Sequence, residues 1–222
     1  DAHRWCLGLR SALERRGVKF TFGCEVRRIV AGRGAVRGVE TSAGLIDAAH
    51  IVLAAAAWSP QLAAPLGIKL AIRPAKGYSL SVPMRGAARM PLMAIIDDSQ
   101  HTSATPLGAV LRLAGTAEFC GFDFSLRPER LHNLWRYLRA LGPSLEADAD
   151  RQRAVAWCGL RPMAADGRPY IGATPVAGLW LNCGHGHLGW TQGAGSGRLL
   201  AQLISGAATA IDPGPYALAR GR

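Results

Sequence analysis

Leu179-Trp180-Leu181-Asn182-Cys183 runs directly into Gly184-His185-Gly186-His187-Leu188-Gly189-Trp190. From about Thr191 to Ser205 the apolar residues Leu199, Leu200, Leu203 and Ile204 then recur at helical spacing, and Gly206 stands as the stop. This reads as a short buried strand, a glycine-rich loop and a helix. Glycines in such a loop let backbone N–H groups approach a ligand closely, and the helix N-terminus adds partial positive charge. The corner suits a phosphate, or negative charge on a reduced ring. The same spacing also suits a tight turn with no ligand. Gly193-Ala194-Gly195-Ser196-Gly197 is not a dinucleotide fingerprint, because its spacing is G-x-G-x-G and it falls inside the helix. Small residues there suit close packing against a strand or a cofactor.

The N-terminal side fits the same architecture. Residues 3–16 read as an amphipathic helix, with Trp5, Leu9 and Leu13 on one face and Gly17 after its end. Val18, Phe20 and Phe22 alternate as a strand with one buried face. Glu25–Val30 and Ala35–Thr41 are two strands joined by Ala31-Gly32-Arg33-Gly34. Ile51-Val52-Leu53-Ala54-Ala55 is apolar on both faces, as a central parallel strand is.

The middle differs. Ile72–Val82 alternates and is interrupted at Pro74, with Pro83 just beyond it; Met93–Ile96 and Ala109–Ala117 are further strands. Residues 127–141 are a helix with Pro128 at its first position and Leu131, Leu134, Trp135, Leu138 and Leu141 as its stripe. Ala154–Cys158 is a strand, Arg161–Gly172 a loop, and the tail from Pro213 is loose. The reading is an α/β (α+β) chain in three parts. Residues 1–72 and 156–222 form one domain, and residues 73–155 form an inserted mixed or antiparallel sheet domain.

Composition narrows the function. The 222 residues are 49% hydrophobic, enough for a sizeable core. No apolar run is long enough for a membrane-spanning helix, and no signal peptide is evident. Five scattered cysteines without a C-x-x-C pair suggest neither a zinc site nor a disulfide framework, so a reducing cytoplasm is expected. The net charge of +11 comes mostly from arginine, but the arginines are dispersed and not interleaved with aromatics, so nucleic acid is not the expected partner.

Pattern alone leaves the candidate site residues open. Arg161, before Pro162, can grip a carboxylate through two parallel hydrogen bonds, or can be a surface arginine paired with Asp166; spacing favours the pair. His185 and His187 lack a third ligand at a fitting spacing, so acid/base or hydrogen-bonding roles stand ahead of metal binding. Lys76 and Tyr78 can face a substrate cavity, although alternation alone favours the outer face of a sheet. No G-x-S-x-G elbow occurs.

Several segments together resemble the D-amino acid dehydrogenases, within the D-amino acid oxidase/glycine oxidase superfamily. They are Asp1–Phe22, Ile51–Pro60, Pro74-Ala75-Lys76-Gly77-Tyr78-Ser79-Leu80, Gly159-Leu160-Arg161-Pro162-Met163, Asp166–Gly172 and Asn182–Thr191. The resemblance implies that residues 1–72 and 156–222 make an incomplete Rossmann-like FAD-binding domain, with FAD as cofactor, and oxidation of a D-amino acid such as D-alanine to an imino acid, which hydrolyses to a 2-oxo acid and ammonia; no metal is expected, since the histidines lack a third ligand. It implies that Arg161 binds the substrate carboxylate, with Tyr78 and His187 as the other catalytic candidates. Val26 would meet the adenosine part of the cofactor, and Ala55, Ala56 and Trp58 would pass beneath it. Gly184, His185, Gly186, Leu188, Gly189, Trp190 and Thr191 would lie against the flavin ring. It also implies a respiratory electron acceptor and peripheral contact with the inner face of the plasma membrane. Two departures accompany the likeness. The family usually has Gly at the position of Ala56, and the chain starts downstream of a G-x-G-x-x-G turn that holds the FAD pyrophosphate. Weak or no FAD binding by this chain alone is therefore expected, with no activity on its own. The alternatives are an amine or glycine oxidase-type flavoenzyme, or a non-catalytic interaction module of the same fold.

Overall fold

A computed structural model describes residues 1–86 and 90–220. The chain opens with α1 (Ala2–Glu14), whose first turn is capped by the Asp1 carboxylate accepting from the Arg4 N–H. β1 (Val26–Gly32) and β2 (Ala35–Thr41) form a hairpin, and β3 (Gly44–Asp47) adds a third antiparallel strand. Arg33 and Gly34 both take positive φ, 54° and 79°, as the two-residue turn of a twisted hairpin requires.

β4 (Ile51–Leu53) leads into a tight turn over Ala56–Trp58 and the short α2 (Ser59–Ala63). β5 (Ile72–Pro83), β6 (Ile95–Asp97), β7 (Thr102–Leu107) and β8 (Val110–Glu118) follow, then α3 (Pro128–Leu141) and α4 (Pro143–Asp148). β9 (Val155–Ala164), β10 (Tyr170–Ala173) and β11 (Leu179–Cys183) precede α5 (Gly189–Ser205). One sheet runs β6-β7-β8-β5-β9, all antiparallel; another runs β10-β11-β4, with β11 parallel to β4.

Two cores result. Tyr78, Leu80, Val82, Leu111 and Leu113 from the five-stranded sheet pack under Leu134, Tyr137 and Leu138 of α3. Ile29, Val36, Leu53, Leu179 and Leu181 form the other with Ile68, Leu70 and Ile72. The apolar stripe on α3 is what holds that helix to its sheet.

Several expectations are corrected. Residues 18–22 are not a strand: Val18, Phe20 and Phe22 are exposed and no described strand runs beside them, so their N–H and C=O groups have no ladder to join. β4 is an edge strand among the described residues, with β11 as its one neighbour and Val52 exposed. β5 is not broken at Pro74, because Pro74 lies opposite Pro162 of β9 and both missing donors fall on the same rung. β9 extends to Ala164, so Arg161 is within a strand rather than in a loop. The tail is anchored. The Arg220 guanidinium donates to the Asp166 carboxylate and to the carbonyls of Arg168 and Pro169, and it lies 3.7 Å from the centre of the Tyr170 ring.

Candidate active site

The position of Arg161 follows from three strands. Arg161 on β9 stands opposite Ala75 of β5, and two residues further along β5 carries Gly77. The guanidinium lies across Gly77 so closely that a Cβ there would stand 2.5 Å from Cζ and Nη2. On the other side of β5 the register with β8 shifts between Lys76 and Tyr78. Thr116 of β8 takes a φ of 60°, and its carbonyl oxygen accepts a hydrogen bond from Arg161 Nη1 at 3.1 Å. A glycine slot and one backbone carbonyl therefore fix a side chain that has several rotatable bonds. Burial lowers the Arg161 pKa, and the guanidinium remains a cation with donors left over. Asp166 is not its partner, since that carboxylate is taken by Arg168 and Arg220.

Arg161 opens into a cavity of about 670 Å³ that it shares with Met163, Thr116, Phe119 and His187, and with Arg130 and Asn133 from α3. No carboxylate lines it among the described residues.

The glycine-rich loop borders this cavity. Met163 of β9 bridges to His185, and the tight turn Gly186–Leu188 packs on β9. Burial lowers the His185 pKa, which favours the neutral imidazole, and its Nε2 is buried without a hydrogen-bond partner. α5 starts with no side-chain cap, so its first N–H groups are open to a ligand. Leu188, Trp190 and Thr191 are exposed, and Trp190 meets Trp5 of α1 edge to face at 5.2 Å.

Val26, Ala55, Ala56 and Trp58 come together around a second cavity of about 580 Å³. Ala56 takes a φ of 46°, a left-handed conformation that glycine adopts without strain. The turn that carries it also packs against β9, so this turn and Gly186–Leu188 both lie beside the strand of Arg161. Trp58 lies against Phe122 and Phe124 at 5.4 and 6.3 Å.

Tyr78 is elsewhere. It is 1% exposed, lines neither cavity, and donates its hydroxyl to Glu118 Oε2 at 2.7 Å. Burial, and then the Glu118 carboxylate, raise its pKa and keep it a donor. Lys76 beside it is fully buried rather than outward-facing, with Nζ donating to Asp123 Oδ2 and the Ser125 carbonyl. This cluster ties the 119–127 loop, with its three phenylalanines, to the sheet. Gly77, Thr116, Phe119, Arg130 and Asn133 are site residues that pattern reading did not single out. The available signal was Arg130 itself, a cation in the first turn of a helix, where the dipole disfavours it.

Residues 1–203 match the family described as DAO, FAD dependent oxidoreductase. The chain belongs to that family. It is 42% identical over 220 residues to a D-amino acid dehydrogenase of Cereibacter sphaeroides, covering 99% of this chain and 50% of that protein. It is 44% identical over 216 residues to an uncharacterized oxidoreductase of Halorhodospira halophila, covering 96% of each. The chain thus spans about half the length of the dehydrogenases it matches. Among solved structures, glycine oxidase from Geobacillus kaustophilus superposes over 90% of this chain and 52% of its own, with a TM-score of 0.78 and 28% identity. L-proline dehydrogenase from P. horikoshii shares the fold over 92% of this chain and 55% of its own, with a TM-score of 0.80 and 22% identity.

Proposed function

We propose that this chain forms the substrate-gripping and flavin-facing part of an FAD-dependent D-amino acid dehydrogenase. The observation that carries the reading is Arg161, held across Gly77 at the floor of a cavity free of carboxylates and bordered by the glycine-rich loop.

The residues fit FAD. Val26 and Trp58 offer apolar walls, the uncapped start of α5 offers backbone donors, and His185 Nε2, Asn182 Oδ1 and Gln192 Oε1 are buried polar atoms without partners. Bound FAD supplies the two-electron acceptor for the amino acid Cα–H bond. Arg161 binds the substrate carboxylate with its free N–H groups and so fixes the direction of that bond. His187 borders the same cavity and offers an imidazole to the substrate amine. Met163 offers apolar surface beside the reacting carbon. The α5 N-terminus stabilises negative charge that builds against the 184–191 loop. We also assign the respiratory acceptor as the electron sink. No described helix is long and apolar enough to cross a membrane, and a net charge of +11 suits docking on anionic headgroups.

The test joins the chain to the G-x-G-x-x-G half of a D-amino acid dehydrogenase, because turnover by the chain alone is not expected, and supplies FAD and an artificial dye acceptor. D-Alanine should reduce the dye with equimolar pyruvate and ammonia, L-alanine should not, and Arg161→Gln should abolish the reaction. Dye reduction that survives Arg161→Gln contradicts the reading. Peroxide formed from glycine would instead support the oxidase alternative.

A further inference from the structure

We infer that Arg130 is a second anion site and that the preferred substrate is a dicarboxylic D-amino acid. This deepens the function proposed above and rests on it.

Among the described residues, the cavity is lined by two guanidiniums and no carboxylate. Arg161 has one carbonyl partner, and Arg130 makes no side-chain hydrogen bond or ion pair with any described residue. Its neighbour Arg127 differs, because Arg127 pairs with Glu118 and Asp123 and so helps hold the 119–127 loop. Arg130 is third in α3, after Pro128 and Glu129. A cation in that first turn is opposed by the helix dipole, so it does not serve the helix. It is half-buried, and no counter-charge among the described residues compensates it. A guanidinium held in a concave site without a partner is suited to a carboxylate ligand, which it can meet with two hydrogen bonds.

The surrounding groups agree. Asn133 lies one helical turn beyond Arg130 on the same face, and Gln100 comes from the β6–β7 connection, so that wall donates hydrogen bonds rather than offering apolar surface. Arg161 takes the α-carboxylate. Arg130 and Asn133 then face the end of the side chain, where a carboxylate satisfies both and an aliphatic group satisfies neither.

The test measures binding by calorimetry to the full chain in excess FAD, with D-glutamate and its neutral isostere D-glutamine. D-Glutamate should bind roughly tenfold more tightly, the effect of one added charge-assisted contact. Arg130→Gln should erase the preference, and an unchanged Tm verifies that the variant is folded. Arg130→Lys should restore part of the preference. Equal binding of the two ligands, with both lost in Arg161→Gln, overturns the role of Arg130 and leaves the proposed function standing. Binding of both ligands that is indifferent to Arg161→Gln overturns the proposed function itself. Failure of both ligands to bind overturns both.

Discussion

Replacing Gly77 by Ala isolates the device that orients Arg161. The added Cβ would stand 2.5 Å from the guanidinium carbon, whereas ordinary carbon contacts are about 3.5–4.0 Å, so the group must withdraw by about 1 Å. The Arg161 Nη1 to Thr116 carbonyl bond, now 3.1 Å, would stretch beyond hydrogen-bonding range. A hydrogen bond to a charged group contributes about 1.5–3 kcal/mol, so affinity for an amino acid carboxylate should fall roughly ten- to a hundredfold. Folding should be nearly untouched. The crowded atoms are the far end of a flexible side chain, and alanine is favoured over glycine inside a strand by about 0.5–1 kcal/mol. The assay is calorimetric D-alanine affinity and Tm, measured on the same preparations with FAD present. Wild-type affinity at wild-type Tm would refute the view that this slot positions the substrate-binding arginine.

Two further changes probe the scaffold. Ala56→Gly should raise Tm by about 1–2 °C, because relief of left-handed strain of about 1–2 kcal/mol exceeds the entropy that glycine adds to the unfolded chain; a lower Tm would contradict the left-handed backbone at that position. Asp166 has its pKa lowered from 3.8 to about 2, chiefly by the Arg220 hydrogen bonds. A depressed carboxylate pKa stabilises the fold above 3.8, and that contribution drains away as pH falls towards 2. Tm should therefore drop over that interval in the wild type and less steeply in Asp166→Asn, as thermal melts across the range would reveal; parallel slopes would exclude the pair.

What was legible in the sequence was local. The Arg33-Gly34 hairpin, Pro128 opening α3 and the strand–loop–helix at 179–205 each carry their signal within a few residues. The motifs around Arg161 and the 182–191 loop pointed to the family that residues 1–203 match. What failed depended on distant partners. Residues 161–164 read as loop because Pro74, which matches the missing donor of Pro162, lies far away in the chain. The alternation at 18–22 needs a neighbouring strand to become one. Lys76 and Tyr78 were assigned to an outer face because nothing local reveals that α3 and the 119–127 loop cover it. Asp166 had a plausible partner in Arg161, yet Arg220, 54 residues away, holds it with Arg168. The site was half legible for the same reason: Arg161 and His187 sit in motifs, whereas Gly77, Thr116 and Arg130 matter only through the register and helix placement that bring them together.

The most direct measurement is a fluorescence titration of FAD with the purified chain, repeated with Trp58→Ala and with a variant in which Ala56 is enlarged to Leu. Saturable, one-to-one quenching of flavin emission that weakens in both variants is the predicted result, and weak binding suffices. Flavin emission unaffected by the wild-type chain, or affected equally by all three proteins, would contradict the assignment of this cavity to the cofactor.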